Sequence, residues 1–262
     1  MTAPLTVLQI TDSHLKASAS STLLGVDTAD SLRAVLAQAL AEQAPDAVIA
    51  SGDLAHDPEP ATYRRFEQAL RDVYAGPVMY LAGNHDLSGP LAATLGTLDT
   101  LRLGSWAVIG FDTHRDHRTE AELDDVRRGA LMARIGGWDA EHVLLVCHHH
   151  PLPVGCPWLD KDCIPLGFEL LESCAAESRV RGLAFGHVHQ EVRTEAAGLP
   201  VLGAPSTCFQ FQPGSERFAI DRSPQSGRPG YRWLMLHPDG TLASRVRRVA
   251  DYPLNIDVSD RS

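Results

Sequence analysis

Five short motifs in this chain place Asp, Asn and His side chains at spacings that can bind metal ions. In chain order they are Asp12-Ser13-His14, Gly52-Asp53, Gly83-Asn84-His85-Asp86, His148-His149-His150-Pro151 and Gly186-His187-Val188-His189. Carboxylate, carboxamide and imidazole groups together suit first-row transition metals. The set holds enough of these groups for two ions, so the sequence predicts a dinuclear centre.

A short apolar run precedes each motif and is predicted to form a buried strand. These runs cover residues 5–10, 47–50, 78–81, 142–147 and 182–185. In α/β proteins, the loops that follow parallel strands carry the ligand-binding groups. The five motifs are therefore expected at neighbouring strand ends.

Helices are predicted between the strands. Apolar residues at helical spacing over 32–40, with Asp27 or Thr28 as the cap, indicate the first, and segments 60–74 and 119–135 indicate two more. After His189 the chain changes to short extended pieces separated by Gly and Pro, including 208–211 and 217–220. This order predicts an α/β fold in which a second sheet packs against the first.

Composition narrows the function classes. With 262 residues, 44% of them hydrophobic, the chain can bury one large core, and a single domain over 1–262 is expected. The formal charge of −10 argues against a non-specific binder of nucleic acid or of an anionic membrane, since both need a basic surface. Oligomeric state is not determined.

A reduced cytoplasmic chain is expected. No basic and apolar leader precedes the first strand, and no apolar run reaches the length of a membrane helix. The five cysteines have no zinc-ribbon spacing and are expected to be free.

The order of the motifs is more informative than any single one. Asp12 and His14 share a face of an extended chain, so a loop can turn both toward one ion. A second Asp-x-His pair, Asp112 and His114, lies outside the ordered set and is expected to be structural. Asp53 follows a glycine that lets the backbone approach the site, and its carboxylate can bridge two cations.

The motif from Gly83 to Asp86 is the strongest, because the chain contains only two Asn. Asn84 offers an oxygen ligand to a metal and an NH2 group to a phosphate. His85 is predicted as an outer-shell acid or phosphate donor, and Asp86 is expected to orient His85 through a hydrogen bond.

The histidine-rich motifs are predicted to complete the ligand set. His187 and His189 alternate at a strand end, so their imidazoles can reach neighbouring ions. Three consecutive imidazoles at 148–150 are difficult to bury without polar partners, so at least one should be a ligand.

The five motifs together resemble those of the calcineurin-like metallophosphoesterases, over nearly the whole chain. Further segments resemble the bacterial class III 3′,5′-cyclic AMP phosphodiesterases: Leu24-Gly25-Val26, HHHPLPVG at 148–155, Trp158-Leu159-Asp160, GHVHQE at 186–191 and Pro205-Ser206-Thr207-Cys208. The resemblance implies a four-layer αββα sandwich of two mixed β-sheets flanked by helices. It also implies a small cyclic nucleotide as the substrate.

A ligand set follows from this resemblance. It implies that one ion is held by Asp12, His14, Asp53 and His189. The second is held by Asp53, Asn84, His187 and either His148 or His149, because the triplet can be aligned in two registers. His56 departs from the family pattern and is expected only as a surface residue. The ions are expected to be Fe, Mn or Zn.

The expected reaction is hydrolysis of 3′,5′-cyclic AMP to 5′-AMP by a hydroxide that bridges the two ions. The predicted catalytic residues are Asp53, Asn84 and His85. Contacts with the substrate phosphate are expected from His14, Asn84, His85, His148 and His189. Alternatives are another phosphodiester or a phosphomonoester as substrate, and a metal-free scaffold of the same fold. A dinuclear redox centre is disfavoured, because helical Glu-x-x-His pairs are absent from the sequence.

Overall fold

Two β-sheets face each other in the computed structural model, which describes residues 3–96 and 98–259. The strands in these ranges are β1 (Leu5–Ile10), β2 (Ala47–Ser51), β3 (Val78–Leu81), β4 (Thr100–Leu103), β5 (Trp106–Gly110), β6 (His142–Val146), β7 (Val180–Phe185), β8 (Val192–Ala196), β9 (Leu199–Gly203), β10 (Gly230–Leu236) and β11 (Leu242–Arg248).

Both sheets are mixed. The first has the order β11-β10-β1-β2-β3, in which β1, β2 and β3 run parallel, β10 pairs antiparallel with β1, and β11 pairs antiparallel with β10. The second has the order β4-β5-β6-β7-β9-β8, in which β5, β6, β7 and β9 are parallel and the two edge strands antiparallel. Parallel pairing places the C-terminal ends of β1, β2, β3, β6 and β7 where their loops can meet.

Helices occupy the segments between the strands. They are α1 (Thr28–Glu42), α2 (Pro60–Arg71), α3 (Ser88–Leu95), α4 (Asp125–Gly137), α5 (Pro157–Asp160) and α6 (Gly167–Ala175). Asp27 caps α1 by accepting a hydrogen bond from Asp30 N at 2.9 Å. Within the described ranges, no helix combines the length and the apolar character that a membrane crossing requires.

The helix predicted at 119–135 begins later than expected. Asp124 accepts a hydrogen bond from Arg127 N at 2.8 Å and so acts as the N-cap of α4. The charged residues before it lie outside the helix, because the cap fixes the first turn.

Successive side chains of a strand face opposite sides of its sheet, and this alternation places one set against the helices and the other against the second sheet. On β1, Leu8 packs with Leu32 of α1 and Phe66 of α2, whereas Val7 faces the second sheet and packs with Trp106 and other residues there. A third apolar cluster joins the second sheet to α4, α5 and α6. The predicted αββα sandwich is confirmed.

The two extended pieces predicted at 208–211 and 217–220 are not regular strands. They form an irregular hairpin, here called the 209–221 hairpin, with one isolated bridge between Phe211 and Ile220 and a hydrogen bond from Gln212 N to Ala219 O at 2.8 Å. Pro213 has no N–H to donate, and Gly214 turns the chain at φ 71°, so the ladder cannot extend.

Candidate metal centre

All five motifs meet at one edge of the sandwich, where strand ends from both sheets come together. The loops after β1, β2 and β3 bring in Asp12, His14, Asp53, Asn84 and His85, and the loops after β6 and β7 bring in His148, His187 and His189. Ligand atoms lie within 4.8 Å of one another in several groups of these side chains. The structure thus brings together every residue predicted for the site.

Asp53 lies between two imidazoles. Its Oδ2 atom is 3.5 Å from His14 Nε2 and also 3.5 Å from His148 Nε2. Its Oδ1 atom accepts a hydrogen bond from His85 N at 2.8 Å, which fixes the carboxylate plane. The carboxylate is buried and faces one ligand from each sheet. This position suits a carboxylate that bridges two cations.

On one side of Asp53, three buried side chains converge. The Nε2 atoms of His14 and His189 are 3.1 Å apart, and His189 Nε2 is 3.4 Å from Asp12 Oδ1. Asp12 Oδ1 has no hydrogen-bond donor among the described residues, although it is buried. An orphaned carboxylate oxygen beside two imidazole nitrogens is a position that a cation would satisfy.

On the other side of Asp53, Asn84 is the meeting point. Its Oδ1 atom is 3.1 Å from His148 Nε2 and 2.8 Å from His187 Nδ1. Together with Asp53, these groups form a second set of oxygen and nitrogen donors. A mixed set of this kind fits a first-row transition metal.

The second ring nitrogens determine which imidazole atoms face the centre. His148 Nδ1 lies 2.9 Å from Ser51 O, and His189 Nδ1 lies 2.8 Å from Phe209 O. A carbonyl only accepts, so each Nδ1 carries a hydrogen and each Nε2 is the ring nitrogen that faces the centre. His148 and His189 are therefore held in the tautomer that binds a metal through Nε2.

His149 is arranged differently. Its Nδ1 atom is 2.9 Å from Thr113 Oγ1 and its Nε2 atom is 3.1 Å from Thr119 O, so both ring nitrogens have protein partners. His150 stacks on His187 with ring centroids 5.6 Å apart. Of the triplet, His148 is the residue whose free nitrogen faces both Asp53 and Asn84.

The charges in this cluster favour a cation. Burial would raise the pKa of Asp53, but the imidazoles of His148 and His85 hold that pKa well below the usual aspartate range. Burial would lower the pKa of His148, whereas the Asp53 carboxylate raises it to about 9. Burial lowers the pKa values of His14 and His187 well below the histidine range. A metal cation would take the place of the proton between Asp53 and His148. The imidazoles of His14 and His187 would be neutral and so able to bind it.

The geometry agrees with comparisons to known proteins. The sequence profile described as "Calcineurin-like phosphoesterase" matches residues 5–191, which span every motif of the centre. The chain belongs to this family. The family assignment drawn from the motifs is therefore confirmed.

Two relatives that match this calcineurin-like phosphoesterase over almost its whole length are named as cyclic AMP phosphodiesterases. One is the 3′,5′-cyclic adenosine monophosphate phosphodiesterase CpdA of Pseudomonas aeruginosa, 36% identical over 264 residues that cover 97% of this chain and 94% of the relative. The protein of the same name from Escherichia coli K12 is 36% identical over 95% of this chain and 91% of its own length.

A solved structure supports the fold. A dimetal phosphatase from Danio rerio superposes with a TM-score of 0.62 at 14% identity, covering 95% of this chain and all of that protein. At this identity the likeness concerns the fold alone.

The backbone of this phosphoesterase is strained at the centre. Five of the proposed ligands adopt the left-handed conformation, which non-glycine residues rarely occupy: Asp12 (φ 54°), His14 (φ 46°), Asp53 (φ 51°), His187 (φ 66°) and His189 (φ 48°). Such strain persists only where surrounding contacts impose it, and it concentrates at functional sites. In both the Asp-x-His and the His-x-His motif, the two ligands share this conformation.

Close packing explains the glycines in two of the motifs. A Cβ atom at Gly83 would overlap Asp53 Oδ1, and one at Gly52, which has φ 106°, would overlap the His148 ring. Glycine at both positions lets the two sheets approach until Asp53 and His148 meet.

The predicted role of Asp86 is wrong. The hydrogen bonds that the described residues donate to its buried carboxylate come from Leu54 N, Ala55 N, Gly83 N and the Tyr63 hydroxyl, at 2.9 to 3.2 Å. Asp86 therefore ties the Asn84 loop to the Asp53 loop and does not orient the imidazole of His85. The reason is local geometry, because the turn at Gly83 directs this carboxylate into the core.

His56 is the residue that the sequence reasoning missed. It was expected at the surface, but its ring is half-buried, 5.0 Å from the His85 ring and 5.8 Å from the His14 ring. Burial and the neighbouring His85 lower the pKa of His56 to about 4. The only sequence signal was its distance of three residues from Asp53.

The Asp112 and His114 pair lies outside the clusters of proposed ligands: the buried His114 pairs with Asp116 at 3.0 Å.

Proposed function

We propose that this chain is a dinuclear metal-dependent phosphodiesterase that hydrolyses 3′,5′-cyclic AMP to 5′-AMP. The observation that carries the proposal is Asp53 Oδ2 at 3.5 Å from an imidazole nitrogen on either side. The relatives named as cyclic AMP phosphodiesterases cover almost the whole chain, which supports the substrate.

The proposed ligands of the first ion are Asp12, His14, Asp53 and His189. Those of the second are Asp53, Asn84, His148 and His187. The choice of His148 over His149 rests on the two protein partners that already occupy the nitrogens of His149. Iron, manganese and zinc all suit these donors.

When bound, the two ions supply Lewis acidity and an activated water molecule. Asn84 uses its Oδ1 atom toward His148 and His187, which leaves its NH2 group to donate to a non-bridging phosphate oxygen. His14, His148 and His189 surround the same centre, where we expect the phosphate to contact them.

His85 is the proposed proton donor. Its backbone N–H is fixed by Asp53, and its ring packs edge-on against His14 with centroids 4.7 Å apart. In the reaction, a water molecule that has given up one proton to solvent bonds through its oxygen to phosphorus, and the bond from phosphorus to O3′ breaks. O3′ takes a proton from the protonated ring of His85, which is left as neutral imidazole. The product is 5′-AMP.

The test is a substrate panel on protein loaded separately with iron, manganese and zinc, with products separated by chromatography. Expected is turnover of 3′,5′-cyclic AMP to 5′-AMP, and Asp53→Ala is the inactive control. Formation of 3′-AMP would contradict the assigned leaving oxygen. Turnover of 2′,3′-cyclic AMP or p-nitrophenyl phosphate without any 3′,5′-cyclic nucleotide would exclude the substrate and leave the family intact.

A further inference from the structure

An apolar cavity of about 220 Å³ opens directly beside the metal centre. Three histidines, His14, His56 and His85, form its floor. His14 is also a proposed ligand and His85 the proposed donor to the leaving oxygen. If the leaving O3′ lies at His85, as proposed, the sugar of a bound cyclic nucleotide extends toward this cavity.

Two segments build the walls. Leu23 and Leu24 come from the loop before α1, and Phe209, Phe211 and Phe218 come from the 209–221 hairpin. The two segments are packed together, because Leu23, Leu24 and Phe209 belong to one buried apolar cluster. The cavity is thus part of the folded structure and not a gap between loose loops.

The walls present flat aromatic surfaces. Phe218 is 40% exposed at the rim, and its ring meets Phe211 and Trp158 edge to face at 5.6 and 5.5 Å. Phe209 lies roughly parallel to the His14 ring, with centroids 6.3 Å apart. Exposed aromatic rings beside a site favour a planar ligand, since stacking on a base contributes about 1–3 kcal/mol.

A second cavity, of about 280 Å³, shares Phe211 with the first and is here called the polar cavity, because amide, carboxylate and guanidinium side chains line it: Gln190, Glu191, Gln210, Asp221, Gln225 and Arg248. Of the proposed ligands it touches only His189. His85, the proposed donor to the leaving oxygen, lines the apolar cavity and is absent from the lining of the polar cavity. A sugar whose O3′ meets His85 is therefore directed toward the apolar cavity.

We propose that the apolar cavity is the nucleobase subsite, in which the base stacks against Phe218 and lies between the hairpin and the Leu23–Leu24 loop. This proposal rests on the proposed function. Among the side chains that the structure describes, the cavity lining includes no carboxylate, amide or guanidinium group. The polar groups of the lining are the three imidazoles, and two of these, His14 and His85, have proposed roles at the phosphate end. The base is thus held mainly by its faces, so adenine and guanine should bind with similar affinity.

The test compares cyclic AMP with ribose 3′,5′-cyclic phosphate, which lacks only the base. Phe218→Ala should raise KM for cyclic AMP about fivefold to hundredfold, the equivalent of one stacking contact, with kcat little changed. KM for the compound without the base should not change. Phe218→Trp should restore the wild-type KM, and cyclic GMP should follow cyclic AMP in every variant.

Two control variants isolate the cavity. Phe168→Ala removes an aromatic ring of similar exposure, 46%, from α6, and Gln225→Ala alters the polar cavity. Both should leave KM for cyclic AMP unchanged. An unchanged KM in Phe218→Ala, or a raised KM in Gln225→Ala with none in Phe218→Ala, would overturn the subsite while the proposed reaction stands.

Binding measurements test the nucleobase subsite independently of the proposed reaction. Calorimetry on metal-loaded protein should show 5′-AMP binding more tightly than ribose 5-phosphate, and Phe218→Ala should remove most of this difference. If the difference is present but cyclic AMP is not hydrolysed, the subsite is supported and the proposed function fails. If 5′-AMP binds no more tightly than ribose 5-phosphate, the subsite is overturned whatever the turnover.

Discussion

The two sheets contribute different chemistry to the centre. Loops of the first sheet supply the proposed oxygen ligands, Asp12, Asp53 and Asn84, whereas loops of the second supply only imidazoles, His148, His187 and His189. Neither set alone completes a site, because each proposed ion has ligands from both. The first sheet therefore supplies all the proposed negative charge at the centre, together with the neutral donors His14 and Asn84, whereas the second sheet supplies imidazoles alone.

Each half also holds the other in place. The His148 imidazole of the second sheet is fixed by Ser51 O at the end of β2, and the Asp12 carboxylate of the first sheet accepts a hydrogen bond from His187 N at 3.0 Å. These contacts orient ligands across the gap between the sheets. The centre is thus a product of sheet packing, and the contributions of the two halves can be separated by mutation.

The largest effect is expected from Asp53→Ala, on the first sheet. Both ions should be lost, because the only carboxylate shared between them is removed, and turnover should fall by about a thousandfold or more, as expected when several kcal/mol of charge stabilisation disappear. Elemental analysis should give about two ions in the wild type and well under one in the variant. Asp112→Ala, which alters an aspartate outside the centre, should keep both. Retention of one full ion in Asp53→Ala would contradict a bridging role.

On the second sheet, His148→Ala is compared with His149→Ala. His148→Ala should leave about one ion per chain and reduce turnover more than about a hundredfold. This loss is larger than that expected for a residue that only hydrogen-bonds to a metal ligand. His149→Ala removes hydrogen bonds to Thr113 and the Thr119 carbonyl, so it should lower thermal stability while both ions remain. Loss of an ion only in His149→Ala would reverse the assignment of the triplet.

His85→Ala tests whether a loop of the first sheet also supplies the proton donor for the leaving oxygen. Metal content should be unchanged, while kcat falls by about tenfold to thousandfold because the leaving oxygen loses its proton donor. The loss should be smaller for a p-nitrophenyl ester, whose leaving group needs no proton. Equal losses for both substrates would indicate that His85 positions the phosphate instead.

The smallest effect is expected from Tyr63→Phe, which loosens the support of the first-sheet loops. The Tyr63 hydroxyl donates to Asp86 Oδ1 at 3.1 Å and accepts from Leu87 N at 3.0 Å. Its loss should lower the free energy of unfolding by about 1–3 kcal/mol, since two buried groups lose a partner. Turnover should be nearly unchanged, because three backbone N–H groups still hold Asp86. Chemical denaturation measures the change, with Tyr252→Phe, whose hydrogen bond to Asp30 is exposed, as the smaller control.

The sequence by itself determined the donors, their order and the family. Each motif is local, because a strand and the loop after it are contiguous in the chain, so the spacing of Asp12 and His14 or of His187 and His189 could be interpreted directly. The layered fold followed from the same alternation of strands and helices. The sequence placed a Gly and Pro turn between the pieces at 208–211 and 217–220, but its apolar pattern does not reveal that they pair through an isolated bridge instead of a regular ladder.

The tertiary structure decided what depends on atoms from distant loops. His148 and His149 are neighbours in sequence, and only their contacts with Ser51, Thr113 and Thr119 distinguish them, because both ring nitrogens of His149 have protein partners whereas His148 Nε2 faces Asp53 and Asn84. Contacts between distant loops also determine the partners of Asp86, the half-buried position of His56 and the aromatic wall beside His85. Such contacts join residues far apart in sequence, and a spacing pattern carries no information about the direction in which each ring or carboxylate turns once the sheets have packed.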